Sequence, residues 1–197
     1  MNLSAPILAF HADVLSFNNL HLQRIPPSLR DAYGKQAKYV DLSFNALRSI
    51  EELKHFTVLE VLTLDNNELD DKTQFVRNTR LQELSLNKNK FADLYRLMNQ
   101  LSSCYPNLQY LSLLDNPAYL NKDKDDYQKY RYYVIHKFPK LKFLDSTRVT
   151  TQERIKAKKI SAFVSVFGLN RNIVYMNKLT PKNSGIQSKK LQLSSFQ

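Results

Sequence analysis

One arrangement of apolar and polar positions returns four times between residues 40 and 117. It reads Val40-Asp-Leu42-Ser-Phe-Asn45-Ala-Leu47, then Leu62-Thr-Leu64-Asp-Asn-Asn67-Glu-Leu69, then Leu84-Ser-Leu86-Asn-Lys-Asn89-Lys-Phe91, and last Leu111-Ser-Leu113-Leu-Asp-Asn116-Pro117. Successive copies start 22, 22 and 27 residues apart. Apolar residues two apart at the head of each copy predict a short strand with one face inward. Apolar residues three and four apart follow, as in Leu47, Ile50, Leu53 and Phe56, or Phe91, Leu94, Leu97 and Leu101, and they predict helical turns.

A strand and a helical turn repeated at this period define an α/β leucine-rich-repeat solenoid, with short parallel strands on a concave face and helical turns on a convex one. No single turn buries its leucines alone, so stacking makes the core. The recurrent Asn45, Asn67, Asn89 and Asn116 stand where the chain leaves the strand, and their amides are expected to satisfy backbone groups of adjacent turns. They are structural positions. A degenerate first copy is read at Leu15-Ser-Phe17, continuing through Leu22, Ile25 and Leu29, with Leu20 in place of the asparagine. The expected layout is an N-terminal extension (1–13), repeats (14–121), a helical C-terminal cap (122–150), a basic helix (151–169) and a basic tail (170–197) expected to be disordered.

In the cap, Lys122 to Phe138 reads as a helix with Tyr127, Tyr130, Val134 and Phe138 on one stripe, and Phe138-Pro-Lys-Leu141-Lys-Phe-Leu144-Asp145 supplies a last strand-like turn. Four tyrosines here, Tyr127, Tyr130, Tyr132 and Tyr133, could form a stacking platform for bases. The favoured reading is that they cover the last hydrophobic layer of the stack.

Charge enters the picture through its location. The net charge is +11, but residues 1–150 hold 20 Lys/Arg against 17 Asp/Glu, while residues 151–197 hold 9 against 1. Contact with nucleic acid is therefore expected only through the tail. Catalytic chemistry finds no support. The three glycines, Gly34, Gly168 and Gly185, are too far apart for a phosphate-cradling loop. His11, His21, His55 and His136 lack ligand spacing with each other or with Cys104, so neither metal nor cofactor is expected. The lone Cys104 reads as a packing thiol. No apolar run approaches the roughly 20 residues of a membrane span, and no secretory leader is read at the start. An intracellular protein is expected.

Residues between the inward leucines face the concave side, which gives a grid: Tyr39, Asp41, Ser43; Val61, Thr63, Asp65; Glu83, Ser85, Asn87; Tyr110, Ser112, Leu114. Three acids, no bases and two tyrosines suit a protein ligand and repel a phosphate backbone.

The chain resembles the leucine-rich melanocyte differentiation-associated protein family. The resemblance runs from about residue 14 to 160, through Ala32-Tyr-Gly34, Leu42-Ser-Phe-Asn45, Leu64-Asp-Asn-Asn67, Leu86-Asn-Lys-Asn89, Tyr110-Leu-Ser-Leu-Leu114, Tyr127 to Arg131, Phe143-Leu-Asp145, Val149-Thr150 and Gln152-Glu-Arg154. It implies a cytoplasmic adaptor that binds Rab-family small GTPases of lysosome-related organelles and links them to endosomal recycling-complex subunits, as a monomer or within a hetero-complex. The cap motif Tyr130-Arg-Tyr-Tyr-Val-Ile135 with Leu144-Asp145 is also similar to the A-prime subunit of the spliceosomal particle that recognises the branch site. That similarity implies the alternative, a ribonucleoprotein scaffold.

Overall fold

The computed structural model describes residues 9–167, apart from residue 12 and residues 119–123. Eight short strands form one sheet in chain order: β1 (Ala9–His11), β2 (Val14–Ser16), β3 (Tyr39–Asp41), β4 (Val61–Thr63), β5 (Glu83–Ser85), β6 (Tyr110–Ser112), β7 (Phe143–Leu144) and β8 (Thr147–Arg148). Strands β2 to β7 are parallel, and each end closes with an antiparallel partner, β1 on β2 and β8 on β7. Those two hairpins occupy the hydrogen-bonding edges that a parallel stack would otherwise leave open.

The register aligns the middle residue of each turn, Leu15, Val40, Leu62, Leu84, Leu111 and Leu144, in one line. All six are buried in a single core that runs from Leu15 to Ala157. The connecting turns differ in form. They are α1 (Pro27–Tyr33), a 3-10 helix at Glu51–His55, and α2 (Leu94–Cys104), while residues 71–80 carry no helix. In that third turn Phe75 packs against Phe91 and Tyr105 in the place a helix would fill. Helix α2 begins where Asp93 accepts a hydrogen bond from the Arg96 amide, and it buries Leu94, Leu97, Met98 and Leu101 at helical spacing. Gly34 sits where α1 meets the 3-10 turn. A β-carbon there would lie 2.6 Å from the Arg30 carbonyl and 2.7 Å from that of His55.

The asparagines form a ladder through the stack. Asn67 Nδ2 donates to the carbonyls of Leu42 and Leu64 (3.0 Å each), and its Oδ1 accepts from the Leu47 amide at 3.0 Å. Asn89 serves Leu64, Leu86 and Leu69 in the same way, and Asn116 serves Leu86, Leu113 and Phe91. Asn45 bonds Phe17, Leu42, Leu20 and Leu22, and so ties the degenerate first turn to the second. The residue before each asparagine, Phe44, Asn66, Lys88 or Asp115, has φ between 52° and 58°. A left-handed step at that point turns the chain from strand to convex side.

The cap comprises α3 (Lys124–Lys137), the β7–β8 hairpin and α4 (Thr151–Phe167). Tyr130, Val134, Ile135 and Phe138 are buried against the last repeat, with Tyr127, Tyr132 and Tyr133 packed partly on the core. The end of the expected basic helix and the whole expected tail, residues 168–197, lie outside the described residues.

Candidate protein-docking site

Parallel register arranges the strand residues that point away from the core into rows. The first row is Val14, Tyr39, Val61, Glu83, Tyr110 and Phe143. At about 4.8 Å per strand it extends over roughly 24 Å. Five of its six members are apolar or aromatic. Val14, Tyr39 and Phe143 remain 42–43% exposed, Val61 and Tyr110 are half-buried, and Glu83 is exposed.

The next rows are polar, and their hydrogen bonds are largely spent within the face. Asp41 accepts from the Ser43 amide (2.9 Å) and from Asn18 Nδ2 (2.9 Å). Asp65 takes both the backbone and side-chain N–H of Asn87, at 2.8 and 3.0 Å. Asn87 Oδ1 in turn accepts from Ser112 Oγ (2.7 Å) and the Leu114 amide (2.8 Å). The chain Asp65–Asn87–Ser112 thus crosses three repeats and leaves little polar capacity for a ligand. Thr63 and Ser85 lie half-buried between them.

Two grid positions differ from expectation. Ser43 is 5% exposed and Ser112 is 0% exposed, so neither offers its side chain to a partner. Strand alternation points Ser112 outward, but Asn87 of the neighbouring repeat reaches across and engages it. Ser43 is closed in by its backbone, which bonds the Asn19 amide and Asn45 Nδ2. Sequence reading also passed over Val14, Phe143 and Phe44. The first two lie in turns that lack the repeat consensus, although Val14-Leu15-Ser16 and Phe143-Leu144 carry the same apolar centre. Phe44 is 57% exposed beside Asn45, at a consensus position that bears no side-chain requirement.

Other chemistry is weakly represented. Cys104 is half-buried with its Sγ 3.4 Å from the Phe75 carbonyl, and burial pushes its thiol pKa up, away from a reactive thiolate. Burial, then the Lys137 charge, lowers the pKa of His136. Among the described residues no group of His, Cys, Asp and Glu could hold a metal ion, and no helix is long and apolar enough to cross a membrane.

Comparison with known proteins decides the family. A leucine-rich-repeat family model matches residues 14–171. The human leucine-rich melanocyte differentiation-associated protein is 45% identical over 138 residues, which cover 66% of this chain and 70% of that protein. The chain belongs to the leucine-rich melanocyte differentiation-associated protein family. A more distant relative is the U2 small nuclear ribonucleoprotein A' of Candida albicans, 31% identical over 142 residues that cover 70% of this chain and 54% of that protein. A chain in the crystal structure of the Drosophila melanogaster SNF/U2A' complex superposes with a TM-score of 0.61 at 25% identity, covering 79% of this chain and 86% of its own length. The chain therefore shares its leucine-rich-repeat fold with a chain of that complex. The chain spans about half the length of that Candida relative.

Proposed function

We propose that this protein is a non-enzymatic adaptor whose concave face docks a folded protein, and that the partner is a Rab-family small GTPase. On this reading it connects the GTPase to recycling-complex subunits at the cytoplasmic face of endosomes or lysosome-related organelles. The observation that carries the docking site is the row Val14, Tyr39, Val61, Tyr110 and Phe143, apolar and partly exposed beside polar rows whose hydrogen bonds are internally used. Exposed aromatic side chains on a rigid sheet are efficient interface anchors, because they bury much area for little lost side-chain freedom. Membership of the melanocyte differentiation-associated family supports the choice of partner. The test is titration calorimetry of the full chain with a Rab protein loaded with a GTP analogue or with GDP. Binding confined to the GTP form supports the adaptor; equal binding or none contradicts it.

A second reading, a ribonucleoprotein scaffold, draws on the likeness to U2 small nuclear ribonucleoprotein A' and to the SNF/U2A' complex. On this second reading the concave face or the cap grips a protein partner and the basic C-terminal region meets RNA. Capture of splicing proteins from nuclear extract, with no GTPase bound, would favour it. Against direct RNA contact by the concave face stand Asp41, Asp65 and Glu83, which repel a phosphate backbone.

A further inference from the structure

The geometry points to a docking site for an acidic peptide segment in a polar cleft at the leading edge of the sheet, where Arg80 and Lys140 line one cavity. The cleft encloses about 400 Å3 and draws its walls from four successive turns, from Glu60 to Lys140. That volume lies within the range of ligand sites, roughly 300–1,000 Å3, but the walls are polar where small-molecule pockets are mostly apolar.

Backbone bonds fix the floor. The residue before each strand, Glu60, Gln82 or Gln109, turns its carbonyl to two amides of the following turn at 2.6–3.1 Å. Asn107 then sets the two basic side chains in place. Its Nδ2 donates to the Thr79 carbonyl at 2.7 Å, beside Arg80, and its Oδ1 accepts from Lys140 Nζ at 2.6 Å. The Arg80 amide is held by Asn78 Oδ1 at 2.8 Å, and Arg154 donates to the carbonyls of Pro139 and Leu141 on either side of Lys140. Both loops are thus tied down while their cations stay exposed.

Charge is uneven along this edge. At the first turns Lys38 is paired with Asp13 at 2.7 Å and also feels the charge of Glu60. Toward the cap, Arg80, Lys140 and Lys142 form no ion pair among the described residues. Arg80 keeps its whole guanidinium fork for a carboxylate, and Lys140 keeps two of its three N–H donors. Between them Gln109 Nε2 donates to Gln82 Oε1 at 2.9 Å, which leaves a donor on Gln82 and an acceptor on Gln109. A peptide backbone answers both, whereas a phosphodiester offers acceptors alone and is repelled by Glu60. No aromatic ring lines the cleft for base stacking. The site stands apart from the concave apolar row and does not depend on which protein that row holds.

The test is fluorescence anisotropy of the full chain with a labelled peptide of alternating glutamate and glycine, with its glutamine counterpart, and with a single-stranded RNA. Binding of the glutamate peptide alone is expected, weakening with salt. It should fall about tenfold or more in Arg80→Glu/Lys140→Glu and about threefold or more in the milder Arg80→Gln/Lys140→Gln. The same charge reversal at the exposed Lys54 and Lys72, Lys54→Glu/Lys72→Glu, should cost less than about threefold, and Tyr39→Ala should bind the peptide as the original does. Thermal melts establish that each variant is folded. The proposal is overturned if the glutamate peptide is not bound, if the cleft variants bind it as well as the original, or if the Lys54/Lys72 reversal costs as much as the cleft reversal. Loss of the peptide in Tyr39→Ala would also overturn it, as would RNA binding that the cleft reversal abolishes while the peptide is never bound.

Discussion

Arg131 of α3 donates from Nε to Glu153 Oε1 of α4 at 2.6 Å, with the arginine side chain only 1% exposed. The same guanidinium bonds the carbonyls of Leu144 (3.1 Å) and Arg148 (3.4 Å), while the other Glu153 oxygen accepts from the Thr150 amide at 2.9 Å. Thr150 Oγ1 accepts from the Glu153 amide in return, a reciprocal cap at the start of α4. One ion pair therefore joins both cap helices and the terminal hairpin. Replacing Arg131 with Met strands a carboxylate and two carbonyls and should cost about 3–5 kcal/mol in urea unfolding.

The acid response of the cap has a definite sign. Burial alone would raise the Glu153 pKa, but Arg131 and Thr150 hold it below the usual carboxylate value. Its stabilising contribution is thus present above the unfolded carboxylate pKa and is lost as pH falls through the folded value. Urea midpoints measured from neutral pH down to about pH 3 should fall less steeply in Glu153→Gln than in the original chain. An equal slope in both would contradict this.

Asp145 acts in the opposite sense. The amides of Leu42, Leu64 and Leu86 each donate to a carbonyl of the next strand, of Thr63, Ser85 and Ser112. In the last repeat Leu113 donates to Asp145 Oδ1 instead, at 2.9 Å, and Tyr130 donates its hydroxyl to Oδ2 at 2.8 Å. Burial raises the Asp145 pKa despite these donors and Arg131, so the ionised form is disfavoured and stability declines as pH rises through the folded value. Asp145→Asn keeps the acceptor for Leu113 without the charge. Its neutral-pH stability should stay within about 1 kcal/mol of the original, whereas Asp145→Leu should lose about 1–3 kcal/mol by stranding the Leu113 amide and the Tyr130 hydroxyl.

The asparagine ladder makes a graded prediction. Asn67→Ala removes hydrogen bonds to the buried carbonyls of Leu42 and Leu64 and to the Leu47 amide, for a loss of about 2–4 kcal/mol in chemical denaturation. Asn45→Ala should cost less, because Asn45 is only half-buried and water reaches its partners.

These relationships were legible in the sequence to different depths. The 22-residue recurrence revealed the strands, the inward leucines and the four asparagines, because each turn repeats the same packing problem. The last strand-like turn, which holds Phe143–Leu144, was also legible, but the outermost strands were not. Ala9–His11 and Thr147–Arg148 have no repeat to declare them, and the bond between Arg131 and Glu153 joins residues 22 apart across two elements that look like separate units in sequence. Within the site, alternation fixed the rows, but the burial of Ser43 and Ser112 depends on neighbouring turns folding over them. The exposed ends of the row, Val14 and Phe143, belong to the two turns where the consensus decays.

Phe44 separates stability from binding. It holds φ of 55° as a bulky residue with 57% of its surface exposed, at a position that Asn66 and Asp115 occupy with less strain in other repeats. Phe44→Asn should raise stability by about 0.5–1 kcal/mol in thermal unfolding. If Phe44 contributes to the docking face, the same change should weaken partner binding, a trade that a purely structural residue would not make.

The account's central claim is that the concave apolar row holds the protein partner. The most direct measurement is the affinity of a GTP-loaded Rab protein for the folded full chain and for Tyr39→Asp, Phe143→Asp, Glu83→Gln and Ser112→Ala. The account predicts losses of about tenfold or more for the first two and less than about threefold for the last two, as expected when a few apolar anchors dominate an interface. Unchanged affinity in both Tyr39→Asp and Phe143→Asp, with binding intact, would contradict it and move the partner to another surface of the protein.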